Sequence, residues 1–117
     1  MKNILVADDD PTIRALINDC LTSMGYNVQA TDCGVSCLEQ LKISTPDILI
    51  LDMIMPDMSG IEVMSKIRLS ATQAKLPIIL LSADSQTAAK NVPSDSANIF
   101  MQKPFALKEL LTAIESF

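Results

Sequence analysis

The side chains most able to do chemistry stand where apolar runs end. Ile4-Leu5-Val6-Ala7 leads straight into Asp8, Asp9 and Asp10, and Ile48-Leu49-Ile50-Leu51 closes on Asp52. Ile78-Ile79-Leu80-Leu81 closes on Ser82, and Ile99-Phe100-Met101-Gln102 runs into Lys103. Open sheets of alternating strands and helices bind ligands beyond the carboxyl ends of their strands. Three carboxylates gathered at one such edge repel one another and raise their own pKa values unless a cation neutralises them. Magnesium suits one or two carboxylates, a carbonyl, waters and a phosphate, so Asp8, Asp9 and Asp52 read as a site that a phosphoryl ligand completes. A carboxylate can also accept a phosphoryl group covalently. Lys103 would then neutralise charge on the phosphoryl oxygens, and the Ser82 hydroxyl would donate a hydrogen bond to them.

The elements that must position these residues alternate along the chain. Strands are expected at Ile4 to Ala7, Tyr26 to Ala30, Asp47 to Asp52, Pro77 to Ser82 and Asn98 to Gln102. A helix opens at Pro11, carries Ile13, Leu16, Ile17, Cys20, Leu21 and Met24 on one face, and stops at Gly25. Asp10, just before Pro11, reads as its N-cap. Val35, Leu38 and Leu41 mark a second helix ending before Pro46. The loop from Pro56 to Gly60 leads to a third with Ile61, Met64 and Ile67, and Leu107, Leu110, Leu111 and Ile114 stripe a terminal helix. Asp84 to Ser96, with Pro93 among Ser and Asp residues, predicts a short or irregular helix. Strand and helix in alternation, with wholly apolar strands, predict an α/β fold: a doubly wound, five-stranded parallel sheet with helices on both faces.

At 117 residues the chain has the length of one domain, able to remove roughly two-thirds of its unfolded surface from water. Aromatics are 3% of it, so Ile, Leu, Val, Met and Ala must build the core. A net charge of -5 with no histidine offers no footprint for a nucleic-acid backbone or an anionic membrane. Cys20, Cys33 and Cys37 lack the partners of a zinc tetrad and read as reduced thiols. The short apolar run before Asp8 fits neither a signal peptide nor a membrane span, so a cytoplasmic protein is expected.

Val6-Ala7-Asp8-Asp9-Asp10-Pro11, Leu51-Asp52-Met53-Ile54-Met55-Pro56-Asp57-Met58-Ser59-Gly60, Leu81-Ser82-Ala83 and Lys103-Pro104-Phe105 closely resemble response-regulator receiver domains, over residues 1–117. The resemblance implies the CheY-like (flavodoxin-like) strand order 2-1-3-4-5, with Asp52 as phosphoacceptor. Magnesium, replaceable by manganese, would be held by Asp8, Asp9, Asp52 and the Ile54 carbonyl. Ser82 and Lys103 would bind the phosphoryl group, and the Lys103-Pro104 bond would be cis. Phe100 takes the place of a switch aromatic that turns inward as Ser82 moves toward the phosphoryl group. The readout would then lie on the segment after the fourth strand, the fifth strand and the terminal helix.

By the same resemblance the chain is a switch of a two-component system or phosphorelay, not a dedicated enzyme. Its partners would be a histidine kinase or histidine phosphotransfer protein and a downstream protein target or fused output domain. It would be a monomer or a phosphorylation-linked dimer. Ser96 and Ala97 stand where members often have glycine, and Pro93 departs from the usual pattern, which bears on the output surface. Ile54 occupies a place where polar side chains can position hydrolytic water, so slow self-dephosphorylation is expected unless Asp84 helps. A haloacid-dehalogenase-type phosphohydrolase shares the Asp8-x-Asp10 spacing, but it needs a downstream acidic pair and leaves Asp52 without a purpose. A pseudo-receiver usually lacks one of the acidic or lysine positions, all of which are present.

Overall fold

A computed structural model describes residues 2–70, 73–83 and 99–117. Its elements run β1 (Asn3–Ala7), α1 (Pro11–Ser23), β2 (Asn27–Thr31), α2 (Gly34–Ile43), β3 (Ile48–Asp52), α3 (Gly60–Arg68), β4 (Ile78–Ser82), β5 (Ile99–Gln102) and α4 (Leu107–Glu115). All strand pairs are parallel, in the order β2-β1-β3-β4-β5. The expected irregular helix at Asp84 to Ser96, and the residues Ser96, Ala97 and Asn98, fall outside the described residues.

Side chains alternate across a strand, so each central strand feeds two cores. Leu5, Ala7, Leu49, Leu51, Ile78 and Leu80 pack with Cys37, Leu41, Val63, Met64 and Ile67 of α2 and α3. Ile4, Val6, Ile48, Ile50, Ile79 and Leu81 pack with Ile17, Leu21, Leu110 and Ile114 of α1 and α4. Burial on both faces is why these strands read as unbroken apolar runs.

Local chemistry sets the helix ends. The Asp10 carboxylate accepts from the Thr12 and Ile13 amides, with Pro11 in the first turn. At the other end Gly25 takes φ 94°, and its N–H donates to Thr22 while the Tyr26 N–H donates to Leu21. That pair of bonds is a Schellman closure, and it spends the Tyr26 amide on the helix. β2 therefore starts at Asn27 and not at Tyr26, and as an edge strand it is largely exposed. The α1 stripe is also narrower than the spacing predicts: Ile17 and Leu21 are buried, whereas Leu16 and Met24 are 53% and 56% exposed. In α2 the buried positions are Gly34, Cys37 and Leu41, with Val35 turned to solvent. All three cysteines are free thiols.

Candidate functional site

β1, β3 and β4 are neighbours in register, with Ala7 beside Leu51 and Asp52 beside Leu81. This register sets the residues at their carboxyl ends side by side. Asp8 is wholly buried, Asp52 is 5% exposed, and Asp9 lies at the exposed rim. One carboxylate oxygen from each of the three lies within 4.8 Å of the others. The chain turns after β1 because Asp8 Oδ1 accepts from the Asp10 N–H at 2.9 Å, and the Arg14 guanidinium donates to the Asp8 carbonyl at 2.9 Å.

Lys103 reaches the acids from the end of β5. Its Nζ stands 3.1 Å from Asp8 Oδ2 and 3.2 Å from Asp52 Oδ1. Its backbone N–H donates to the Ser82 carbonyl at 2.7 Å, so Ser82 and Lys103 are held together at the ends of β4 and β5. The Lys103-Pro104 peptide bond is cis, as the resemblance implies. Gly60 allows α3 to start against β3: its N–H donates to the Met53 carbonyl at 2.7 Å, and a Cβ there would stand 2.5 Å from the Asp52 carbonyl oxygen.

The electrostatics follow from this crowding. Burial first, then the charge of Asp8, push the Asp52 carboxyl up to about 6 against the pull of Lys103, and a hydrogen bond shared with Asp9 adds to the rise. Burial opposes the Lys103 charge, but the Asp8 hydrogen bond and the Asp52 charge outweigh it and hold the ammonium above its ordinary value. Three carboxylates face one ammonium, a donor set of hard oxygens that fits a divalent cation such as magnesium. Asp10 is committed to capping α1, so the Asp8-x-Asp10 pair of the phosphohydrolase alternative is not available at this edge.

A family model for the response regulator receiver domain matches residues 4–115. The chain belongs to that family. Among receiver-containing relatives, the response regulator MprA of Mycobacterium leprae is 37% identical over 114 residues, which are 97% of this chain and 49% of that protein. The chain thus spans about half the length of the curated relatives it matches. Among solved structures, the response regulator TrrA of Thermotoga maritima, crystallised with Mg2+ and BeF, superposes with a TM-score of 0.88 at 34% identity, covering 99% of this chain and 98% of that one. The chemotaxis response regulator CheY4 of Vibrio cholerae gives a TM-score of 0.92 at 26% identity, with 99% and 98% coverage. The fold is the CheY-like, flavodoxin-like α/β arrangement that the motifs predict.

Of the residues singled out in the sequence, Asp8, Asp9, Asp52 and Lys103 meet in this receiver domain, and Ser82 adjoins them through Lys103. Phe100 pairs with Leu80 and packs, half-buried, on the core beneath α2 and α3. Ser82 follows Leu80 by two residues, so the strand period sets Ser82 on the same sheet face as Phe100. The Ile54 side chain is 70% exposed.

Two polar residues escaped the sequence reading. Asp57 accepts from the amides that open α2, and Gln73 is buried with its amide nitrogen donating to the Leu41 carbonyl and the Thr45 hydroxyl. The bonds to Asp57 span 23 and 22 residues, so no local pattern around Gly34 marks them, and Cys33 at the N-cap makes no capping bond of its own.

Proposed function

We propose that this receiver domain is a phosphorylation-driven switch in which Asp52 takes a phosphoryl group from a histidine kinase or histidine phosphotransfer protein. The observation that carries the reading is a buried aspartate at a sheet edge, within reach of two further acids and one lysine. In the transfer, an Asp52 carboxylate oxygen bonds to phosphorus as the bond from phosphorus to the donor nitrogen breaks. The electron pair leaves with that nitrogen.

Asp8, Asp9, Asp52 and the Ile54 carbonyl would hold magnesium, which when bound supplies a counter-charge for the phosphoryl oxygens. Lys103 adds a positive charge at the same place, and the Ser82 hydroxyl offers a hydrogen bond. Before transfer, Lys103 keeps Asp8 and Asp52 together, so the acceptor oxygen is oriented in advance. An apolar hollow of about 470 Å3, walled by Ile13, Leu16, Pro104, Phe105 and Leu107, opens beside Lys103 and suits the approach of a donor protein. Movement of Ser82 toward the phosphoryl group would vacate space on the sheet face that Phe100 shares, and the ring would turn into it. A downstream target or fused output domain reads that change.

The test is intact mass after incubation with magnesium and acetyl phosphate or phosphoramidate. A gain of one phosphate by the native chain, absent in Asp52→Asn, is expected. No gain in the native chain would indicate a phosphorylation-independent binding module, and equal gain in the variant would mean that another side chain is the acceptor.

A further inference from the structure

We infer that Asp57 is a positioning residue for the phosphorylation site, tying the loop between β3 and α3 to the first turn of α2 and thereby setting the backbone path through Ile54. The inference rests on the reading of Asp52 and its metal ligands given above.

α2 begins without a cap of its own: Cys33 occupies the N-cap position and its side chain makes no capping hydrogen bond. Asp57 supplies it from another loop. The Gly34 N–H donates to Asp57 Oδ1 and the Val35 N–H to Asp57 Oδ2, both at 2.8 Å, across 23 and 22 residues of sequence. The Met58 N–H donates to Oδ1 at 3.0 Å, so the carboxylate is held on both sides. Charge-assisted bonds of this kind at a helix N-terminus are stronger than neutral ones. Steric fit reinforces the tie. A Cβ at Gly34 would collide with Met58 Cγ and stand 3.2 Å from Val63 Cγ2, so the Met58 side chain lies flush against the α2 backbone.

The loop is thus fastened at three places. Gly60 N–H to Met53 carbonyl closes its neck, Met55 is buried in the core, and Asp57 with Met58 sits on α2. Ile54, whose carbonyl is the proposed magnesium ligand, lies between the first and second fastenings. Release of the third leaves the burial of Met55 as the one restraint on the carboxyl side of Ile54, so Met55 and the peptide before it sample more conformations. The fraction with the Ile54 carbonyl aimed at the metal then falls, and apparent affinity falls with that fraction.

The experiment titrates Mg2+ calorimetrically into the full chain at physiological ionic strength, where an exposed charge beyond about 8 Å is largely screened. Asp57→Ala is compared with Gly34→Ala, which displaces Met58 and leaves the Asp57 charge in place. Leu111→Ala, a packing lesion on α4 far along the chain from this loop, serves as the control for lost stability. Asp57→Ala and Gly34→Ala are expected to weaken Mg2+ binding by about 10-fold, the size of effect seen when groups supporting metal ligands are removed. Asp57→Asn, which keeps one acceptor oxygen, should fall between, and Leu111→Ala should bind as the native chain does. The magnesium concentration for half-maximal phosphorylation by acetyl phosphate should shift by the same factor, with the rate at saturating magnesium nearly unchanged. Folded Asp57→Ala with native Mg2+ affinity overturns the inference, as does an equal loss in Leu111→Ala. A native chain that binds Mg2+ but gains no phosphate refutes the proposed function, while the calorimetric comparison still decides the role of Asp57.

Discussion

Lys103 Nζ lies 3.1 Å from Asp8 Oδ2, joining side chains 95 residues apart across the carboxyl edge of the sheet. The same ammonium is 3.2 Å from Asp52, so one cation spans the buried acid that follows β1 and the acid that ends β3. Replacing it with an apolar side chain leaves two buried carboxylates facing each other with their shared counter-ion gone.

Lys103→Met should therefore lose about 1 to 2 kcal/mol of stability in EDTA, a buried-pair penalty reduced because the lysine side chain is 18% exposed. Millimolar magnesium should restore much of that loss, since the cation takes over the neutralisation. Urea denaturation with and without magnesium measures both quantities; a loss that magnesium leaves untouched would show that the lysine acts by packing alone.

Asp52 titrates in the opposite sense to a typical salt-bridged carboxylate. Its folded pKa, about 6, lies above the ordinary 3.8, so the fold binds the proton more tightly than the unfolded chain does. The attached stability is complete below about pH 3.8 and is lost as pH rises through about 6, a cost on the order of 3 kcal/mol at neutral pH without metal. Asp52→Asn should flatten that part of the stability profile and melt above the native chain at pH 7 in EDTA. Denaturation across a pH series checks it, and an Asn variant less stable than native at pH 7 would contradict the burial argument.

At Gly60 the backbone of α3 approaches β3 so closely that a methyl group meets the Asp52 carbonyl oxygen at 2.5 Å. Gly60→Ala should cost about 1 to 3 kcal/mol through overpacking, because backbone on both sides must move. It should also slow phosphorylation from acetyl phosphate, as the displaced strand end carries Asp52, the proposed acceptor. Denaturation and time-resolved intact mass on the same preparation test the two effects together.

Ile54 is 70% exposed, so a polar replacement there costs little packing. If Asp52 is the acceptor as proposed, Ile54→Asn would offer a carboxamide able to hydrogen-bond water near the phosphoryl group, and the aspartyl phosphate should hydrolyse several-fold faster than in the native chain. Loss of the phosphate mass over time gives the rate directly. An unchanged lifetime would mean that the side chain at this position does not reach the attacking water.

What the sequence determined by itself was what short-range physics decides. Asp10 before Pro11 and Gly25 after Ser23 named the limits of α1, because a cap acceptor and a positive-φ glycine act within one turn of chain. Unbroken apolar runs placed β1, β3 and β4, and their ends pointed to Asp8, Asp52 and Ser82, because a strand buried on both faces tolerates polar residues only where it leaves the core. Tertiary structure decided the rest. Leu16 and Met24 fit the apolar stripe of α1 yet lie in solvent, since the sheet covers only the arc occupied by Ile17 and Leu21. Periodicity set Tyr26 in β2, but its amide was already taken by the closure of α1. The contacts of Lys103 with Asp8 and Asp52, and of Asp57 with Gly34 and Val35, join residues far apart in the chain. Such pairs depend on strand register and helix placement, which arise from the packing of the whole core and leave no periodic trace around the residues themselves.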